Sequence, residues 1–274
     1  GKLKERSAGD RPLSAVTFDD GYADNMVVAA PILKQHGIPA TVFVATATIG
    51  GECEFWWDAL ERVLLRPGVP DELTLRIGGE TRTWSFRQDA ELVRGVWDVY
   101  MEPRLTAHEA YLYICGRMQM LSKMEQDNLI KQLHDWSGVE RKARENYRTL
   151  TEEQIQQTAK DGVLSIGAHT VNHLLLAGIC RESQFFEVNT SRSRLEQLIG
   201  KPVKTFAYPY GRQEDYCHCS VRCVQKAGFT CACTTIPHGV NRWTDPLQLP
   251  RFHVGNWNGE IFQKRLAEFL QESV

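Results

Sequence analysis

The sequence predicts an α/β fold: a parallel sheet built from repeated strand–helix units and interrupted by a mostly helical insertion. Three observations predict it. Residues 14–45 read as strand, helix, strand; the same order resumes after residue 150; and residues 51–149 carry helical periodicity with only one pair of strands between them. A chain of 274 residues suits one large domain or two small ones. The expected division is residues 1–50 with 150–274, and 51–149 as the insertion.

The elements follow in order. Ser14–Phe18 is a short apolar run ending in Asp19-Asp20-Gly21, a buried strand followed by a turn. Asn25 to His36 has helical spacing, with Gly37 as its stop, and Ala40–Ala45 is a second buried strand. Parallel strand–helix–strand units present their functional groups at the C-terminal ends of the strands, where Asp19 and Asp20 stand. In the insertion, two alternating runs flank Gly78-Gly79 as a β-hairpin. Helices are expected near Trp56–Leu65, Ala90–Tyr100 and Thr106–Trp136. Trp56-Trp57 reads first as helix core and second as a sugar-stacking pair. After residue 150, Thr151 with Gln154 opens a helix as a capping box. Val163–Ala168 is a strand delivering His169, Ser183–Ile199 a helix, and Lys204–Tyr208 a strand delivering Pro209-Tyr210-Gly211. Val221–Ala227 is helical, Phe229–Thr234 and Leu247–Val254 are strands, and Ile261–Gln271 is a closing helix.

Composition excludes several classes. The net charge of −2 gives no footprint for nucleic acid, and no apolar run is long enough to span a membrane. Eight cysteines are too few for a disulfide scaffold in this length, and Cys217, Cys219, Cys223, Cys231 and Cys233 contain no C-x-x-C pair. They read as small core residues, with a second metal or redox site as the alternative. The thiols, and the absence of an apolar leader core in Gly1–Arg6, lean the expectation toward a reducing compartment, with export as the other setting.

Three ordered motifs carry the chemistry: Thr17-Phe18-Asp19-Asp20-Gly21-Tyr22, His169-Thr170-Val171-Asn172-His173 and Phe206-Ala207-Tyr208-Pro209-Tyr210-Gly211. Two imidazoles four residues apart can face one point. With one carboxylate they make a three-ligand metal site that leaves positions open for water and substrate. Asp19 and Asp20 can supply that carboxylate and one more. Two adjacent acids at a strand end repel each other without a cation, and the acid that does not ligate metal is free to act as a base. Asp24 reads as a solvated turn residue. Pro209 and Gly211 define a tight turn that brings backbone close to the site, so that the Tyr210 N–H can face a developing oxyanion and Tyr208, Pro209 and Tyr210 can touch substrate.

These motifs, in this order, resemble the polysaccharide deacetylase (NodB-homology) family of carbohydrate esterases over residues about 14–50 and 150–270. The resemblance implies a distorted (β/α) barrel and metal-dependent hydrolysis of acetyl groups on sugars. It implies Asp19 as catalytic base, and Asp20, His169 and His173 as ligands of a divalent metal, commonly zinc. Tyr210 is implied as the residue whose backbone N–H stabilises the tetrahedral intermediate. The partner it implies is an N-acetylated oligo- or polysaccharide. The chain departs from the family pattern in three places. Ala207 stands where many members have Arg, and Arg251 can replace that charge beside Asp19. No Asp-x-x-Asp-Trp motif appears around Cys231–Thr235. The Leu-x-His motif of the general acid is imperfect, with His253 its nearest match and His238 the second. Two other readings use the same residues: hydrolysis of a non-sugar amide, and a non-catalytic glycan-binding member.

Overall fold

The computed structural model describes residues 13–87, 89, 97–99 and 101–271. Strand β1 (Val16–Phe18) leads into a π-helical turn (Asn25–Ala29), α1 (Ala30–Gln35) and β2 (Ala40–Val44). Next come α2 (Trp56–Leu64), β3 (Glu72–Ile77), β4 (Glu80–Ser85), α3 (Thr106–Met118) and α4 (Lys123–Ser137). The chain then runs through α5 (Glu152–Asp161), β5 (Leu164–Ala168), α6 (Arg181–Ile199), β6 (Thr205–Ala207), α7 (His218–Lys226), β7 (Cys231–Cys233) and α8 (Gly259–Gln271). Two compact units result, residues 1–49 with 150–274, and residues 50–149.

The first unit is built on one five-stranded sheet of order β1-β2-β5-β6-β7, with every pairing parallel. The central strands β2 and β5 are buried along nearly their whole length, as a sheet covered on both faces requires. Their apolar residues join Val188 and Leu195 of α6 and Val224 of α7 in one core. The register sets the strand ends level: Phe18 pairs with Val42, Val44 with Ala168, Ala168 with Phe206, and Ala207 with Cys233. Asp19, His169 and Tyr208-Pro209-Tyr210 therefore all emerge at the same edge of the sheet.

Gly167 marks how closely this sheet is packed. A Cβ there would lie 2.4 Å from Phe43 Cδ1 and 2.7 Å from Thr205 Oγ1. Overpacking a core of this kind costs about 1–3 kcal/mol. Gly167→Ala is thus expected to shift the denaturant midpoint downward, and an unchanged midpoint would show that Phe43 has room to yield.

In the second unit the hairpin β3–β4 is antiparallel, and its two-residue turn places Gly78 and Gly79 at φ +60° and +88°. Only residues tolerant of positive φ make that turn without strain. Leu73, Leu75 and Ile77 alternate inward onto a core with Leu60, Val63, Ile114 and Leu133. Trp56 packs against this core, and Trp57 stacks on Phe55 at 4.5 Å.

Three expected elements differ. The helix over residues 25–36 starts as a π-helical turn and becomes α-helical from Ala30. Pro31 has no N–H to donate, and its ring crowds the carbonyl four residues earlier, which loosens the register before it. The helix over Thr106–Trp136 is two helices, broken where Ser122 caps α4 through a reciprocal box with Glu125. The strand over Leu247–Val254 reduces to one parallel bridge between Leu249 and Cys233. Pro246 and Pro250 bracket that bridge and cannot donate to a ladder. The helix expected over Ala90–Tyr100 lies mostly outside the described residues. No helix among the described residues is long and apolar enough to cross a membrane.

Candidate metal and catalytic site

The first carboxylates leave β1 through a turn that only glycine fits. Gly21 sits at φ +84°, and a Cβ there would meet Val44 Cγ1 at 3.1 Å. Gly21 N–H donates to Asp19 O (2.9 Å), and Asp20 itself takes φ +71°. This turn sends the two neighbouring side chains to different partners.

Asp20 faces the imidazoles. Its Oδ1 lies 3.5 Å from His169 Nε2 and 3.3 Å from His173 Nε2. One donor atom from each of the three residues falls within 4.8 Å of the others, so the group could hold a metal ion. Two observations fit that use. Asp20 Oδ1 is buried without a hydrogen bond. Ligand atoms about 2.0–2.2 Å from one tetrahedral zinc are also spaced roughly 3.3–3.6 Å apart, which matches both contacts. The His169 ring is oriented from behind: its Nδ1 lies 2.8 Å from Ala207 O, so Nδ1 carries the proton and Nε2 is turned toward Asp20. Metal-binding histidines are commonly fixed by such a second hydrogen bond.

The two rings are tuned in opposite directions. For His169 burial acts to lower the pKa, but the contact with Asp20 and the charges of Asp19 and Asp20 raise it above the ordinary value. For His173 burial dominates and pushes the pKa down to about 4. A neutral imidazole is the ligand form, and His173 is in that form at neutral pH.

Asp19 faces Arg251. Arg251 Nη1 and Nη2 donate to Asp19 Oδ1 and Oδ2, both at 2.8 Å, a bidentate pair. The same guanidinium donates to Thr17 Oγ1 (3.0 Å) and Thr234 O (2.8 Å), so its plane is held from three sides. Burial acts to raise the Asp19 pKa, but the Arg251 hydrogen bonds and charge, with the charges of both imidazoles, hold it below the usual carboxylate value. Asp19 is thus an ionised carboxylate beside the donor cluster. Ala207 is fully buried against Phe43 and Cys233, and Arg251 reaches Asp19 from the segment beyond β7.

The Pro-Tyr-Gly turn closes the edge. Tyr210 sits at φ +60°, its carbonyl accepts from Thr235 Oγ1 (2.6 Å), and its ring meets the His173 ring edge-on at 4.8 Å. Gly211 at φ +73° has no space for a Cβ, which would lie 2.9 Å from Thr235 N. Arg212 then folds back on buried Asp215, giving Nε–Oδ2 2.9 Å and Nη2–Oδ1 3.0 Å.

The remaining sequence candidates fall elsewhere. The Tyr208 side chain is 0% exposed; its hydroxyl donates to Leu247 O and its ring stacks on Tyr216. It is a core side chain, and the expectation that it touches substrate is corrected. Pro209 is buried beside it. His253 is exposed, and among the described residues no hydrogen bond, ion pair or ring contact joins it to Asp19, Asp20, His169 or His173. Once Pro250 ends the bridge at Leu249, the backbone leaves the sheet, and Phe252 turns to stack on Phe269 of α8. His238 is exposed and bonds to Gly239 O. Asp24 is exposed and accepts from the Asn25 side chain. Of the five cysteines read as core, Cys223 and Cys233 are buried, with thiols pushed up to about 11 by burial; Cys219 and Cys231 are half-buried, and Cys217 is exposed, which corrects the core reading there. Asp20, His169 and His173 form the one metal-type group of three found among the described residues. Sequence reasoning missed Thr17, Thr234 and Asp215, whose roles depend on contacts that no local pattern announces.

Similarity to known proteins identifies the family and the fold. The family description "Polysaccharide deacetylase" matches residues 6–70 and 118–232, more than half of the chain. The candidate polysaccharide deacetylase YxkH of Bacillus subtilis (strain 168) is 31% identical over 93 residues, 34% of this chain and 32% of that protein. The chain therefore spans about a third of the length of that relative. IcaB from Ammonifex degensii is similar in structure, with TM-score 0.55 and 18% identity over 98% of this chain and 77% of that one. The Streptococcus pyogenes deacetylase PplD, solved in complex with acetate, gives TM-score 0.53 and 17% identity over 96% of this chain and 74% of that one. The curled parallel sheet is the distorted (β/α) barrel of these deacetylases. The chain belongs to the polysaccharide deacetylase family of carbohydrate esterases, hydrolases in which Asp20, His169 and His173 are this member's candidate metal group.

Proposed function

We propose that the chain is a metal-dependent deacetylase that hydrolyses the acetamide of N-acetylhexosamine units in an oligo- or polysaccharide and releases acetate. The observation that carries this reading is the pairing of a three-donor group, Asp20, His169 and His173, with an ionised acid, Asp19, held by Arg251 at its side.

The residues divide the work. Asp20, His169 and His173 would hold a divalent metal, with zinc favoured by two imidazoles and one carboxylate. Such a metal supplies Lewis acidity and lowers the pKa of water toward neutral. Asp19 takes the proton of the attacking water at a carboxylate oxygen. Arg251 keeps that carboxylate ionised and fixes its plane, which leaves limited freedom for the proton to go elsewhere. The Tyr210 ring lies against the His173 ring, which supports a role for the Tyr210 N–H in meeting the oxyanion as the carbonyl becomes tetrahedral. The leaving amine needs one proton and Asp19 holds one, so Asp19 returns it as the C–N bond breaks. His253, exposed and without a contact to Asp19, Asp20, His169 or His173 among the described residues, has no part in this scheme.

Acetate release from N-acetylglucosamine oligomers, measured on metal-stripped and zinc-reloaded protein, tests this reading. Release is expected only after reloading. Zinc bound with no release from any sugar would redirect the chemistry to a non-sugar amide.

A further inference from the structure

The turn that carries both imidazoles runs against local backbone preference. Thr170 and His173 sit at φ +66° and +55°, a region few residues with side chains occupy; His tolerates it as Asn and Asp do, but Thr170 is β-branched and a true outlier there. Backbone of this kind persists where the surroundings over-determine it. Here they do so from two sides. Thr46 N–H donates to Thr170 O (3.1 Å) and Ala47 N–H to Val171 O (2.8 Å), which uses the carbonyls. The amides are taken by Glu187, from the middle of α6. Its Oε2 accepts from Val171 N–H (2.9 Å) and Asn172 N–H (2.8 Å), and its Oε1 from the Asn172 side-chain amide (2.6 Å). The Thr170 hydroxyl closes the turn by accepting from His173 N–H at 3.0 Å.

Glu187 is 3% exposed, and among the described residues no basic side chain pairs with it. A buried carboxylate is costly unless its oxygens are well bonded, and here every bond it makes goes to the histidine turn. Its neighbours Val188 and Ser191 are fully buried, so the helix offers it little room to shift.

We propose that Glu187 is a positioning residue for the metal group: its carboxylate locks the left-handed turn that aims His169 and His173 at Asp20. The proposal rests on the reading of those three residues as metal ligands. Metal affinity depends on ligand placement within a few tenths of an ångström, and partners outside the ligand shell are typically worth 10–100-fold in affinity.

The test is a zinc competition titration against a chromophoric chelator on wild type, E187A and E187Q, with the visible spectrum of the cobalt-loaded proteins and the melting temperature of the metal-free ones. E187A removes both the charge and the acceptors, and is expected to weaken zinc binding about 10–100-fold and to alter the cobalt spectrum. E187Q keeps the shape and one acceptor oxygen, so a smaller, several-fold loss is expected. A purely structural role would lower the melting temperature yet leave zinc affinity of the folded protein at the wild-type value. That result in both variants overturns the positioning role alone. If E187A does not fold, wild-type affinity in folded E187Q overturns it equally. Failure of the wild type to bind zinc would overturn the metal reading, and this proposal with it.

Discussion

D19N is expected to lower acetate release by about 10²–10⁴-fold, the usual worth of a positioned general base, while zinc stays bound. The substitution keeps the side chain's size and one oxygen for Arg251, whose two donors now reach both carboxylate oxygens. It removes the charge that accepts the proton. The donors of Asp20, His169 and His173 are not altered, because Asp19 points to Arg251 while Asp20 points to the imidazoles. Turnover and zinc content measured on the same sample decide among three readings. Loss of turnover at full zinc content assigns the proton to Asp19; loss of both would make Asp19 a ligand; turnover near wild type would remove it from the reaction.

H173A is expected to abolish stable zinc binding, and turnover with it. Its Nε2 is one of three donor atoms gathered within 4.8 Å, and burial keeps its ring neutral at neutral pH. With two protein donors left, the site falls below the three that hold catalytic zinc. Linkage provides a readout independent of activity. A ligand at 100 times its Kd stabilises the folded state by about 2.7 kcal/mol, so zinc should raise the wild-type melting temperature and leave that of H173A unmoved. An equal rise in both proteins would place the metal elsewhere.

The parts of this architecture legible in the sequence are those set by short-range pattern. Apolar runs marked β1, β2, β5 and β6 within a residue or two; β2 and β5, in the middle of the sheet, are almost wholly buried, while β1 at its edge is half-buried rather than buried as expected. The ends of those runs located Asp19, Asp20, His169 and the Tyr210 turn. Arg251 reaches Asp19 across 232 positions, and was a candidate only because Ala207 lacks the charge expected beside that acid. Glu187 could not be singled out. It looks like any other glutamate of α6, and its importance lies in three hydrogen bonds to a turn on a different element. Leu247–Val254 misled for the opposite reason: its composition suits a strand, but Pro246 and Pro250 limit it to one bridge. Tyr208 misled through its neighbours, because the chain turns at Pro209 and leaves the preceding ring pointing into the core.

The clamp on Asp19 also carries an order in time. Asp20, His169 and His173 stand at the ends of β1 and β5, where Glu187 and the Ala207 carbonyl hold the histidines, and the last of the three in the chain is residue 173. Arg251 emerges from the ribosome 78 residues later, after β6 and β7 have been made. A growing chain can therefore complete its candidate ligand group first and gain the clamp on Asp19 only when the segment beyond β7 docks. A nascent chain that stops short of Arg251 carries Asp20, His169 and His173 but leaves Asp19 without its clamp.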